Sequence, residues 1–235
     1  MYAKCIKRIL DFFLSLTALL LLSPLLLALT LIGAIEMKGN PFFVQQRVGQ
    51  INKRTGKETI FPMLKFRSMR DLKDQNGQFL PDEERLTRYG RLIRKTSLDE
   101  LPQLFNIISG SLSFCGPRPL VIEYLPCYTP EERHRHDVKP GITGLAQING
   151  RSFITWEEIF AYDLEYVRTV SLRTDLHIFL QTAKKVIAHE NIADMTQLQT
   201  DENGRKYAVI DGEKKYLHQP LNIERGLQSA AGNRK

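Results

Sequence analysis

Residues 12–35 read FFLSLTALLLLSPLLLALTLIGAI, and none of these positions is charged. A helix needs about 20 such residues to cross the hydrocarbon core of a bilayer, so this run is expected to enter a membrane. A cleaved secretory signal fits less well, because its apolar stretch is usually about 7–15 residues long. Lys4, Lys7 and Arg8 precede the run, and Lys38, Arg47, Lys53, Arg54 and Lys57 follow it. Positive charge on both flanks gives the positive-inside rule no direction for a crossing. Ser23-Pro24 falls near the middle, where proline removes a backbone donor and disfavours helical geometry at the preceding residue. Two arrangements follow. One is a proline-bent spanning helix; the other is a helix broken at Ser23 and Pro24 that enters and leaves by one leaflet, with both basic flanks in the cytoplasm.

Outside the head the chain is polar enough for a water-soluble body, since mean hydropathy is slightly negative despite the apolar run. Its 235 residues suit one domain with appendages, and 43% hydrophobic content excludes a disordered chain. The 33 Lys and Arg against 26 Asp and Glu leave a net charge of +7, which suits a polyanion, an anionic membrane or phosphorylated substrates. Cys5, Cys115 and Cys127 are odd in number and lack C-x-x-C spacing. They support neither a disulfide framework nor a thiolate zinc site, and a reducing cytoplasmic setting is the default.

In the body, IFPMLKFRSM (Ile60 to Met69) carries Lys65 and Arg67 on alternate positions, which a strand would place on one face. Two cations there suit an anion; a half-exposed strand or helix start with solvated charges is the plainer reading. DLKDQNGQFLPDEE (Asp71 to Glu84) reads as a loop. Arg88, Arg91 and Lys95 form a basic stripe on a short helix, suited to anionic lipid head groups.

TSLDELPQLFNIISG (Thr96 to Gly110) holds the chemistry. Ser97 and Glu100 have capping-box spacing, which alone would make Glu100 structural. Pro102 at a first helical position would instead start the helix after Asp99 and Glu100. Either way both carboxylates are expected beside the positive end of a helix, which would stabilise Asp99 as an anion. Adjacent carboxylates do not face each other across a sugar as a glycosidase pair must. Mg²⁺ with a phosphorylated substrate fits better, and an aspartate can also act as a nucleophile towards phosphorus.

Arg118 stands between two prolines after Gly116, so its guanidinium projects from a stiff turn suited to bidentate contact with phosphate or a base edge; a structural turn with an exposed arginine is the plainer reading. VKPGITGLAQINGR (Val138 to Arg151) is glycine-rich but matches no nucleotide-binding fingerprint. His134 and His136 have H-x-H spacing; a solvated basic turn is the preferred reading over a metal site. Thr155 and Glu158 form a second capping box before a core-facing helix with Trp156, Ile159, Phe160, Leu164 and Val167 at helical spacing. Asp175 opens another helix, on which Leu176, Phe179, Leu180, Ala183, Val186 and Ile187 share a face. Beyond about Asp194 the chain turns polar, with a hairpin signal at Asp211-Gly212.

KFRSM (from Lys65), RKTSLDELPQLFNI (from Arg94), GPRPL (from Gly116), RHDVKPGITGLAQINGR (from Arg135) and SLRTDLHI (from Ser171) together resemble the bacterial sugar transferase family, over about residues 1–190. These are monotopic polyprenyl-phosphate phosphoglycosyl transferases, and the short form with a hydrophobic N-terminus resembles PglC-type enzymes. The resemblance implies transfer of a sugar 1-phosphate from a UDP-sugar to undecaprenyl phosphate with Mg²⁺, giving the lipid diphosphate sugar and UMP. It implies that Asp99 of the Asp99-Glu100 dyad attacks the β-phosphorus, with both carboxylates near the metal. Arg94 and Arg118 become phosphate-side and nucleotide-side contacts, and Lys65 and Asp175 functional polar positions. It also implies a re-entrant head broken at Ser23-Pro24 on the cytoplasmic face of the bacterial inner membrane.

The expected architecture is therefore α-rich, an α+β body with few short strands and amphipathic interfacial helices. Its parts are a membrane helix over 1–38, a catalytic domain over 39–194 and a polar extension over 195–235. The expected partners are the UDP-sugar, undecaprenyl phosphate and inner-membrane lipid, with a homodimer left open. A UDP-releasing glycosyltransferase is the near rival. A membrane-anchored basic protein that binds nucleic acid is the distant one, because between Arg85 and Lys95 only Tyr89 is aromatic and stacking needs more.

Overall fold

The computed structural model describes residues 2–150, 153–188, 199–200, 206–210 and 213–216. Arg151, the boundary after Asp194 and the turn residues Asp211 and Gly212 lie outside the described residues. The fold is helix-rich with few strands, and it begins with one long apolar helix, α1 (Lys7–Met37).

The break expected at Ser23-Pro24 does not interrupt α1, which runs through Pro24 as a single element. Pro24 has no N–H for the carbonyl of Leu20, four residues back, and the Ser23 hydroxyl donates to that carbonyl at 2.8 Å. The local cost of the proline is thereby offset inside the helix.

Alpha-helix α1 lies along the body with one stripe facing it. Lys7, Asp11, Ser15, Leu29 and Gly33 are buried, at helical spacing. At its first turn Lys7 donates to Asp175 at 2.6 Å, and Arg8 donates to the carbonyls of Ile107 and Ile108. Asp11 accepts from the Ser113 hydroxyl and the Phe114 N–H. Near its last turns the Tyr89 hydroxyl donates to the Leu29 carbonyl, and Arg70 reaches Glu36. Its other faces expose Phe13, Leu14, Leu20, Leu21, Leu27, Leu31 and Ile35.

A hairpin follows, β1 (Phe42–Ile51) antiparallel to β2 (Glu58–Phe66). Its connection closes at Gly56, whose positive φ of 65° suits glycine. Phe61 and Met63 on one face pack with Leu104, Ile107 and Leu112, while Phe66 packs with Leu29, Tyr89 and Ile93. A single turn of helix, α2 (Asp82–Arg85), leads to α3 (Arg88–Lys95), capped by the Thr87 side chain. Gly90 is required there, because a Cβ would fall 1.9 Å from the Ser68 carbonyl oxygen. The stripe Arg88, Arg91 and Lys95 is exposed as expected.

After α4 (Gln103–Ser109), the short strands β3 (Ser113–Cys115) and β4 (Gly141–Thr143) pair in parallel, and α5 (Leu145–Asn149) follows. The capping box at Thr155 and Glu158 opens α6 (Trp156–Thr169). Its inner face includes Asp163 and Tyr166 besides the expected Ile159 and Phe160. In α7 (Leu172–Ala188) the apolar face turns outward: Leu172, Leu176, Phe179 and Leu180 are each more than half exposed, and Asp175 and Ile178 face inward. A three-stranded antiparallel sheet, β5 (Gln199–Thr200), β6 (Lys206–Ile210) and β7 (Glu213–Tyr216), includes the expected hairpin.

Asp175 accepts from Lys7, Tyr2 and Tyr166, so it fastens the start of α1 to α6 and α7. Lys7→Met leaves this buried carboxylate without its cation. A loss of roughly 3–5 kcal/mol is expected, read as a lower melting temperature in detergent; an unchanged melting temperature would contradict the clamp.

Candidate active site

Leu98–Glu100 form a single 3-10 turn ahead of α4. Of the two readings of this turn, the Ser97 capping box does not form: Ser97 is left-handed at φ 56° and its side chain caps nothing, and α4 starts after Pro102 with both carboxylates ahead of it. The Glu100 carboxylate points instead at two cations. Its Oε1 accepts from Lys65 Nζ at 2.7 Å and from Arg118 Nη2 at 2.9 Å. The Lys65 ammonium also lies 4.0 Å from Asp99 Oδ2. Residues from β2, from the turn before α4 and from the proline-flanked loop thus converge on one point.

The two neighbouring carboxylates differ in their electrostatics. Burial would raise Glu100, but Arg118 and Lys65 outweigh it and hold the group at about 2. Asp99 is pushed up to about 6, by burial and then by the Glu100 charge, against the pull of Lys65, Arg118 and Arg94. This corrects the expectation that its neighbours would stabilise Asp99 as an anion: the cations are spent mainly on Glu100. Asp99 remains ionised at pH 7 and above, less solvated and more basic than a surface aspartate.

The loop bearing Arg118 is fixed from several sides. Gly116 N–H donates to Thr143 O, Gly141 N–H to Pro117 O, and Val48 N–H to Leu120 O. Behind it Arg135, 1% exposed, donates to Arg118 O at 2.9 Å and through two nitrogens to Asp163 Oδ2. The basic turn expected to be solvated is buried at Arg135 and His136. His134 is exposed beside Asp137, but His136 is buried against Tyr128, and burial pushes it down to about 3.

Other expected residues take different places. Arg94 donates to the Ser68 hydroxyl at 2.8 Å and acts on Asp99 electrostatically. Arg67 pairs with Asp71. Asp175 holds Lys7 and two tyrosines, and none of its hydrogen bonds is to Lys65, Asp99, Glu100 or Arg118. Ser23 and Pro24 lie within α1. Arg47 carries no local sequence signal for the site beyond being part of the basic flank after the apolar run. Alternation along β1, paired with β2, places it on the face that carries Lys65.

Among the described residues no cluster of three or more His, Cys, Asp and Glu could hold a metal ion. Two carboxylates still fit Mg²⁺, which commonly takes one or two carboxylates with substrate phosphates and water. Asp99 and the second Glu100 oxygen would be its ligands.

A family model described as bacterial sugar transferase matches residues 2–189. The chain belongs to the bacterial sugar transferase family. It is 48% identical over 189 residues to the uncharacterized sugar transferase EpsL of Bacillus subtilis, covering 80% of this chain and 90% of that one. It is 39% identical over 201 residues to the UDP-glucose:undecaprenyl-phosphate glucose-1-phosphate transferase of Xanthomonas campestris. It is also 36% identical over 206 residues to the undecaprenyl-phosphate galactose phosphotransferase of Salmonella typhimurium. The match takes in 80% of this chain in both cases, and 40% and 42% of those two longer relatives.

Glu100→Gln removes the charge that raises Asp99 and frees Lys65 to turn towards it. In metal-free protein the Asp99 carboxyl is then expected to titrate below its wild-type position near 6, followed by carboxyl carbon NMR. An unchanged or higher value would contradict this electrostatic reading.

Proposed function

We propose that this transferase moves a sugar 1-phosphate from a UDP-sugar to undecaprenyl phosphate, releasing UMP, at the cytoplasmic face of the bacterial inner membrane. The observation that carries the reading is the split between two adjacent carboxylates: Glu100 clamped by Lys65 and Arg118, and Asp99 partly buried beside it with no hydrogen bond from either cation. The names of the Xanthomonas and Salmonella relatives supply the substrate class.

An Asp99 carboxylate oxygen forms a bond to the β-phosphorus, and the bond from that phosphorus to the bridging oxygen breaks, so UMP leaves with the bonding pair. The phosphate oxygen of undecaprenyl phosphate then attacks the same phosphorus and displaces Asp99, which returns as a carboxylate. A bound Mg²⁺ would offset the repulsion between the carboxylates and the diphosphate. Arg118 neutralises charge on the leaving phosphate, Lys65 keeps Glu100 ionised and in place, and Arg94 adds positive potential at Asp99. Partial burial leaves the Asp99 carboxylate poorly solvated and more basic, which strengthens its oxygen as a nucleophile in the ionised form.

The head is read as entering and leaving one leaflet. Support comes from contacts with the same body at both ends of α1, Lys7 with Asp175 and Glu36 with Arg70. The outward apolar faces of α1 and α7, with Phe105 exposed as well, suit a lipid surface, where a water-soluble donor and a lipid acceptor meet.

Detergent-solubilised protein with undecaprenyl phosphate and Mg²⁺ is expected to release UMP from at least one of a panel of UDP-glucose, UDP-galactose and their N-acetylated and deoxyamino relatives. Asp99→Asn is expected to reduce that rate by at least ~10³-fold while the protein stays folded. UDP as product would establish sugar transfer alone, and substantial turnover by Asp99→Asn would remove the covalent route.

A further inference from the structure

We infer that Arg47 and Arg118 together form a phosphoryl-oxygen subsite beside the carboxylates, in which Arg47 binds a phosphate group directly. Arg47 lies on β1 opposite Phe61, on the face where Phe43 lies opposite Lys65 and Gln45 opposite Met63. Its Nη1 donates to the Pro119 carbonyl at 3.2 Å, one residue from Arg118, and its Nη2 donates to Gln45 Oε1 at 2.6 Å. Both partners are neutral oxygens. Its Nε is buried and has no hydrogen-bond partner among the described residues. Among the described residues no carboxylate lies within ion-pair distance of it, although Arg70, Arg85, Arg118, Arg133, Arg135 and Arg168 each have one.

A partly buried guanidinium held by neutral acceptors, with its Nε fully buried and a second arginine close by, is costly unless an anion completes it. Burial first, and then the Arg118 charge, pulls Arg47 down to about 10, with Glu100 and Glu123 acting in the opposite sense. The β1 strand also carries the loop, since Val48 N–H donates to Leu120 O and Arg47 bridges Val121. The planar fork of Arg47 is therefore fixed before any ligand arrives, and its free N–H groups suit the oxygens of a phosphate.

The subsite rests on the phosphoryl-transfer reading for the name of its ligand, which is either the nucleotide-side phosphate of the donor or the phosphate of the polyprenyl acceptor. The nucleotide side is favoured, because Arg47 holds the Pro119 carbonyl next to Arg118, which is read above as neutralising charge on the leaving phosphate.

The test is equilibrium binding of UMP and of pyrophosphate to detergent-solubilised full-length protein as wild type, Arg47→Gln and Arg47→Lys, with KM measured for each substrate. Arg47→Gln is expected to weaken UMP and pyrophosphate binding about tenfold or more, and Arg47→Lys to recover part of the loss by keeping the charge without the fork. The KM for the UDP-sugar should rise and the KM for undecaprenyl phosphate stay unchanged. If only the lipid-phosphate KM rises, the same subsite serves the acceptor. Folded Arg47→Gln protein with wild-type binding of both probes and both KM values unchanged overturns the inference. So does a lower melting temperature and kcat with unchanged UMP affinity, the outcome expected if Arg47 only props Pro119. Failure of the transfer reading looks different: wild type then releases no nucleotide from any donor and binds no UMP. Pyrophosphate binding, compared between wild type and Arg47→Gln, decides the subsite alone in that case.

Discussion

Both ends of the apolar helix are tied to one body, and the placement of the site relative to a lipid surface follows from that constraint. A straight helix of this length spans about 46 Å at 1.5 Å per residue, enough to cross a bilayer. Its first turn nevertheless meets Asp175, the end of α4 and β3, and its last turns meet Tyr89 and Arg70. Contacts to one body at both ends are what support the proposed one-leaflet arrangement. The inward stripe mixes charge at the start with small and apolar residues further on, so the start is fixed by ion pairs and the remainder by packing. The outward faces are mostly apolar, with Thr17 and Ser23 as polar exceptions, and suit lipid better than water.

The same helix shapes the neighbourhood of the carboxylates. Ala18 and Leu19 pack against the cluster of Phe61, Met63, Leu104 and Ile107, between the strand that carries Lys65 and the helix that follows Glu100. On the far side the buried Arg135–Asp163 pair holds the Arg118 carbonyl. A buried ion pair is a poor source of net stability, and its clearer effect is positional: it limits where the proline-flanked loop can sit. Lys65 and Arg118 are thus presented to one oxygen of Glu100 by two separately braced elements. That preorganisation leaves Asp99 the more basic of the two carboxylates, because the cations reach its neighbour first.

Much of this was legible in the sequence where the signal is local. The apolar run, the Thr155 capping box, the strand carrying Lys65 and the adjacency of Asp99 and Glu100 all depend on spacing within one segment. Other features depend on contacts across the chain. Lys7 and Asp175 are 168 residues apart, and no pattern around either names the other. Arg135 and His136 look like a solvated turn until α6 and Tyr128 cover them. Leu176, Phe179 and Leu180 read as a helix face, but only the fold shows which way that face points. Ser97 has capping-box spacing, but its backbone is left-handed and Glu100 is held by two cations from distant segments.

The placement of α1 can be tested at its two ends by chemistry already in the chain. Cys5 is exposed while Cys115 and Cys127 are buried, and Gly39 has open space around it. Labelling with a membrane-impermeant maleimide in sealed vesicles of known orientation would compare wild type, which reports Cys5, with Cys5→Ser/Gly39→Cys, which reports the other end. Labelling of both from the cytoplasmic side alone is the predicted result; labelling from opposite sides would establish a spanning helix and contradict the fastening of both ends to one body.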